Sequence, residues 1–168
     1  DNAKIMVANV AKGLTQVDPT NKEYYQSQLT AYQKQLDDLK AQITQIFAPV
    51  PVEKRKLVTN HDAFGYFTDE FQITIVGSVI PSFSDAAQPT PQAINELIKN
   101  IKDNNVKVIF TETTIIPKIA EQVAQTAGVQ IYSNLYGDAL GPAGSDGDTY
   151  LKMELSNAKN MAAGFQQQ

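Results

Sequence analysis

From Lys56 onward the sequence alternates short β-type apolar runs with amphipathic helical stretches, four times over, and that alternation leaves few folds open. Strands are read at Lys56 to Thr59, Ile73 to Gly77, Val106 to Thr111 and Val129 to Ser133. Helices are read at about Asp62 to Glu70, Thr90 to Asn104, Ile115 to Ala127 and Thr149 to Phe165. Thr90 with Pro91 at the first helical position is a start signal, and Gly128 after Ala127 is a stop signal. Four β/α units in series imply an α/β domain: a four-stranded parallel sheet with helices on both faces.

The part before Lys56 is helical throughout. Ile5, Met6, Val10 and Leu14, with Ala3, Ala8 and Ala11 between them, fall on one side of a helix from Asn2 to Thr15, which Asp1 could cap. Val17-Asp18-Pro19-Thr20 breaks it, and Thr20 or Asn21 is placed to cap a second helix reaching to about Phe47. Tyr25, Leu29, Tyr32, Leu36, Leu39, Ile43 and Ile46 recur at alternating spacings of four and three. They give an apolar seam on a polar helix roughly 40 Å long at about 1.5 Å per residue. So narrow a seam suits half of a coiled coil or a strut packed along the side of a domain. Pro49 and Pro51 end it.

Fourteen basic against eighteen acidic residues give a net charge of −4, and the longest basic run is Lys54-Arg55-Lys56. Nucleic acid and anionic membrane surfaces are therefore not expected partners. With no cysteine there is no disulfide framework and no thiolate site. No apolar run approaches the roughly 18 residues a membrane span needs, and no signal segment opens the chain. Because residue 1 already enters a helical pattern, the expectation is a portion of a longer protein whose N-terminal part is missing.

The usual α/β chemistry signatures are absent: no phosphate-cradling G-x-x-x-x-G-K-[ST], no dinucleotide G-x-G-x-x-G after a strand, no G-x-S-x-G nucleophile elbow. Ser145-Asp146-Gly147-Asp148 superficially suggests a calcium loop, but the twelfth position from Asp146 is Asn157, where a bidentate Glu is required. What remains are oxygen and nitrogen donors near strand ends: His61 after the first strand, Glu112 after the third, and Asp148 before the last helix. In a parallel sheet the crevice beyond the carboxyl ends of the strands is where ligands bind. Each residue also has a plainer reading. His61, the only histidine, could be a hydrogen-bonded structural residue. Glu112 could be a solvated loop carboxylate, Asp148 the N-cap of the last helix, and Asp62 a first-turn acid complementing the helix dipole. Two longer loops, Val79 to Pro89 and Asn134 to Gly147, have lengths that usually carry function or disorder.

These pieces together resemble the solute-binding proteins of bacterial zinc and manganese ABC importers, in their C-terminal half. The resemblance is carried by Asn2-Ala3-Lys4, by Asp18-Pro19 followed by Tyr24-Tyr25, and by Val58-Thr59-Asn60-His61-Asp62-Ala63-Phe64-Gly65-Tyr66-Phe67. Thr90-Pro91, Ile109-Phe110-Thr111-Glu112 and Gly147-Asp148-Thr149-Tyr150 with Asn157 complete it. It covers essentially the whole chain. It implies a two-lobed protein joined by one long rigid helix, with one metal ion held in the cleft by four side chains, two from each lobe. On that scheme residues 1–18 are the last helix of a missing N-terminal lobe, 19–50 the linker helix, and 51–168 the C-terminal metal-binding lobe.

On the resemblance, the two C-terminal-lobe ligand positions match His61 and Asp148 in this sequence, with Glu112 as an outer partner. The two N-terminal-lobe histidines are not in this chain. Zn²⁺ is favoured over Mn²⁺, because binders of the harder ions commonly carry a carboxylate where His61 stands. A chain with half a site is expected to hold its ion weakly or not at all. The implied partner is the membrane permease of an ABC transporter, the implied location periplasmic or lipid-anchored at the cell surface, and the implied activity not enzymatic. Exposed apolar residues and self-association are expected if the first helix has lost its packing partners. Two other readings stand beside this one: a small hydrolase with His61 as general base oriented by Glu112 or Asp148, and an adhesion or interaction module.

Overall fold

The computed structural model describes residues 1–80, 89–114 and 116–168. They divide into two compact units, 1–45 and 46–168. The first is made of helix α1 (Asn2–Val17), a single 3₁₀ turn (Pro19–Asn21) and most of the long helix α2 (Lys22–Phe47). Within it Lys4 pairs with Asp37 at 2.7 Å and Lys40 with Asp1 at 2.9 Å, so the Asp1 carboxylate meets a lysine, with no side-chain capping bond. The tight turn is held by Asp18, whose carboxylate accepts from Asn21 and from the Tyr25 hydroxyl, both at 2.7 Å. No residue of α1 is buried, and Ile5, Met6, Val10, Leu14 and Val17 are all exposed.

The second unit is a four-stranded, all-parallel sheet: β1 (Lys56–His61), β2 (Thr74–Ile80), β3 (Val108–Glu112) and β4 (Gln130–Leu135), in the order β2-β1-β3-β4. Helices α4 (Pro91–Asp103) and α5 (Lys118–Ala127) pack on one face, over a core of Val58, Val79, Leu97, Ile101, Ile109, Ala120 and Val123. On the other face α6 (Tyr150–Phe165) crosses β3 and β4, and the short α3 (Gly65–Glu70) lies by β2. Here the filling is aromatic. Phe165 stacks edge-on against Phe110 and near Phe47, which in turn meets Phe67 and Phe71. The expected α/β architecture with both faces covered is the observed one.

Three of the four expected strands start too early in the sequence reading, for one reason. Ile73, Val106 and Val129 belong to helix exits. Each follows a residue in the left-handed region, Gln72 (φ 55), Asn105 (φ 56) or Gly128 (φ 76). Each sends its N–H back to a carbonyl five residues earlier, on Thr68, Ile101 and Ala124 respectively. That is the Schellman closure, in which an apolar residue just past the helix is part of the cap. Its apolar character in sequence is indistinguishable from a first strand residue.

Two helices start later than expected. α5 begins at Lys118, since the residue before Pro117 is pushed out of the helical region; the expected start at position 115 lies outside the described residues. α3 begins at Gly65, so Asp62 lies in a bend three residues ahead of it and is no first-turn acid. Of the loop expected from Val79 to Pro89, Val79 and Ile80 extend β2, and positions 81–88 lie outside the described residues.

Gly164 sets how closely α6 approaches the sheet. A Cβ there would run into the ring of Phe110, which is fully buried between β3 and Phe165 and has no room to turn aside. A Gly164→Ala substitution gains about 1 kcal/mol in helix propensity, but overpacking against a fixed ring costs more. The expected net effect is a loss of about 1–2 kcal/mol, read as a lower urea midpoint at unchanged slope.

Candidate metal centre

The strand order contains a reversal: the chain leaves β1 toward β2 on one side, and β3 toward β4 on the other. Between β1 and β3 the connections diverge, and in open α/β sheets the place beyond the carboxyl ends of two such strands is where ligands bind. His61 is the last residue of β1 and Glu112 the last of β3. Thr59 and Phe110 are partners in the parallel ladder, and side chains alternate faces with period two. Two residues further along each strand the same face therefore carries His61 beside Glu112. The contact is made: His61 Nδ1 lies 3.4 Å from Glu112 Oε1, and both residues are at most 5% exposed.

This corrects the plainer reading of Glu112, which is a buried strand residue and not a solvated loop carboxylate. β1 also runs to His61, past the Thr59 end read from sequence, because its ladder with β2 continues to the His61–Ile80 pair. Asn60 closes the gap between the strands at this level, its side-chain oxygen accepting from the Glu112 N–H at 3.1 Å. Glu112 Oε2 accepts no hydrogen bond among the described residues, and Oε1 has the long 3.4 Å contact with His61 Nδ1. Gly137 is glycine because a Cβ there would collide with Glu112 Oε2. Burial pushes the Glu112 carboxyl up; the charge of His61 pulls it down, and Asp138 pushes it up again. A buried carboxylate held by an imidazole 3.4 Å away, with its second oxygen unbonded among the described residues, is an arrangement that a cation stabilises.

Asp148 sits in the long loop between β4 and α6. Its Oδ2 accepts from Gly144 N–H at 2.9 Å and its Oδ1 pairs with Lys152 Nζ at 2.9 Å. The Lys152 contact, followed by the Gly144 amide, holds its carboxyl below the usual range. It is not the helix N-cap, which is Thr149, whose side chain accepts from Lys152 N–H at 3.4 Å. Among the described residues no group of three or more His, Asp or Glu is close enough to hold an ion. The structure thus brings His61 and Glu112 together and gives Asp148 its own set of partners.

Sequence reading passed over Tyr136 and Ser156, met Asp146 only in the discounted calcium loop, and met Asn157 only in that loop's count and in the resemblance. Tyr136, buried, donates from its hydroxyl to Asp146 Oδ1 at 2.6 Å, and Ser156 donates to Asp146 Oδ2 at 2.5 Å. The Ser156 and then the Tyr136 bond hold the Asp146 carboxyl low. Asn157 grips the backbone of Tyr136 twice, accepting from its N–H and donating to its carbonyl, both at 2.8 Å. The glycines of the stretch were the one available signal: Gly141 and Gly147 both lie where a Cβ would meet the Tyr136 ring.

The family described as the zinc-uptake complex component A, periplasmic (ZnuA), matches residues 1–164. The manganese ABC transporter substrate-binding lipoprotein PsaA of Streptococcus mitis is 29% identical over 165 residues, which is 98% of this chain and 53% of that relative. The metal ABC transporter substrate-binding lipoprotein FimA of Streptococcus parasanguinis is 28% identical over 99% of this chain and 53% of its own length. Among solved structures, the periplasmic zinc-binding protein TroA from Treponema pallidum superposes with a TM-score of 0.84 at 30% identity, over 94% of this chain and 58% of that one. A manganese-bound periplasmic metal-binding protein from Candidatus Liberibacter asiaticus gives a TM-score of 0.87 at 25% identity, over 96% and 59%. The chain spans about half the length of the curated relatives it matches. PsaA and FimA are named as substrate-binding lipoproteins of ABC transporters and the two solved structures as metal-binding proteins, none of them an enzyme, so the hydrolase reading is dropped.

Elsewhere on α6, Glu154 is half-buried and burial pushes its carboxyl up to about 7, with a Tyr150 hydrogen bond pulling the other way. Folding therefore favours its protonated form. The stabilisation is full below the ordinary 4.5 and is lost as pH rises through about 7. Glu154→Gln is expected to match the unmodified protein near pH 4 and to exceed it in stability at pH 8 by up to about 3 kcal/mol. Urea unfolding at the two pH values checks this.

Proposed function

The chain belongs to the ZnuA family of metal solute-binding proteins, and on that premise we propose that it supplies half of a capture site for a divalent cation delivered to an ABC permease. The ion is cargo. His61 and Asp148 are its donors in this chain, and Glu112 is the outer partner that holds the imidazole. The remaining donors come from outside residues 1–168. The observation that carries the reading is the buried His61–Glu112 pair at the carboxyl ends of the two strands flanking the sheet's switch point. A carboxylate against one ring nitrogen is the arrangement that commonly orients a metal-ligating histidine.

Zn²⁺ is the ion we favour over Mn²⁺. Imidazole suits zinc, and one carboxylate with three histidines makes an acceptable tetrahedral set, whereas manganese prefers more oxygen. Relatives named for either metal are similar to this chain, so ligand chemistry carries the preference. A site closed around its ion by protein donors has no position for an activated water; holding and handing over is its chemistry. In the cell this places the chain outside the cytoplasmic membrane, in the periplasm or tethered by lipid, as its relatives' names describe them.

Calorimetric titration of residues 1–168 with ZnCl₂, and in parallel with MnCl₂, tests the reading. Two donors are half of a four-donor set, so zinc is expected to bind more weakly than about micromolar, and manganese more weakly still. His61→Ala is expected to lower zinc affinity at least about tenfold. Undiminished zinc affinity in that variant would remove His61 from the site.

A further inference from the structure

Asp148 has two side-chain partners, and both lie in or next to its own loop. One is the Gly144 amide and the other Lys152, whose side chain is 56% exposed against 18% for Asp148. What holds the stretch from Gly137 to Thr149 is a cluster around Asp146. The Asp146 carboxylate, two residues before Asp148, receives the Tyr136 hydroxyl on one oxygen and the Ser156 hydroxyl on the other. Tyr136 follows directly on β4, and Ser156 lies in the second turn of α6. One side chain thus ties the loop to the strand it leaves and to the helix it enters.

Each anchor is itself immobilised. Asn157 fixes the Tyr136 backbone with two 2.8 Å hydrogen bonds, and both Tyr136 and Ser156 are less than 9% exposed. The loop is then laid over the Tyr136 ring, with Gly141 and Gly147 in contact with it and the Gly141 N–H bonded to the Gly147 carbonyl at 2.8 Å.

We propose that the Tyr136–Asp146–Ser156 clasp is the positioning device for Asp148, holding its carboxylate where the incoming divalent cation meets it. The inference rests on the reading of Asp148 as a metal donor. Asp146, Tyr136 and Ser156 are positioning residues that do not touch the ion. Donors already held in place spare the ion the cost of ordering a loop as it binds.

The test is a double-mutant cycle in residues 1–168, read as zinc affinity with ZnCl₂ as the probe. Tyr136→Phe keeps the ring that packs the glycines and removes only the hydroxyl; Asp146→Asn keeps the shape of the carboxylate. Asp148→Ala removes the donor. Each clasp variant is expected to weaken zinc binding about three- to tenfold, and to cause no further loss when added to Asp148→Ala. A clasp that served folding alone would give the same fractional loss in both backgrounds, or none. Thermal unfolding of each variant without metal verifies that it is folded at the titration temperature.

Clasp variants that bind zinc as well as the unmodified protein, while Asp148→Ala is impaired, would overturn the clasp and leave the donor reading standing. So would losses that add fully to that of Asp148→Ala. An Asp148→Ala protein with undiminished affinity would overturn the donor reading itself, and the clasp's role with it.

Discussion

Parallel pairing of β1 with β3 in the register that puts Thr59 beside Phe110 is the constraint on which the rest turns. Once that register is set, the face occupied by every side chain of both strands follows. Leu57, Thr59 and His61 share one face of β1, and Phe110 and Glu112 share the same face of β3. A slip of one residue in either strand would turn His61 or Glu112 to the opposite face, into the aliphatic core around Val58 and Ile109. The Phe110–Phe165 contact, the close approach at Gly164 and the burial of Val58 and Ile109 on the other face all depend on the register that also joins the imidazole to the carboxylate. The packing that stabilises the sheet and the geometry of the proposed donor are one arrangement.

That arrangement carries a local cost. Burying a carboxylate is unfavourable unless it finds compensating charge or donors. Glu112 has the imidazole against one oxygen, the acidic Asp138 acting against it, and no hydrogen-bond donor on Oε2 among the described residues. By contrast Asp146, a carboxylate nearby in the same edge region, has two hydroxyl donors, and its proton is held off accordingly. The difference between these two acids separates a structural carboxylate from one whose environment favours an added positive charge. Neither distinction is a property of the residue type.

Much of the fold was legible because α/β alternation, Pro at a helix start and Gly at a helix stop are local signals. The misplaced starts at Ile73, Val106 and Val129 came from asking burial periodicity to separate a strand from a helix cap, when both use an apolar residue at that point. Of the centre, His61 and Glu112 were legible as strand-end residues, and the resemblance singled out Asp148. The burial of Glu112 was not legible, because it depends on register with β1, and register is a long-range property. Tyr136, Asp146 and Ser156 gave no signal: a tyrosine, an aspartate and a serine are ordinary in loops and helices, and their hydrogen bonds join groups ten residues apart through the folded backbone.

The helix exits also divide labour between the two edges of the sheet. At the edge where α3, α4 and α5 hand over to β2, β3 and β4, the connections are two to four residues long and closed by their own hydrogen bonds. At the opposite edge the segment joining β4 to α6 runs from 136 to 149. One rim is locally templated and has no slack for insertion or deletion; the other can lengthen, shorten or change composition while the strands keep their alignment. A scaffold built this way can vary one rim at little cost to the alignment of its strands.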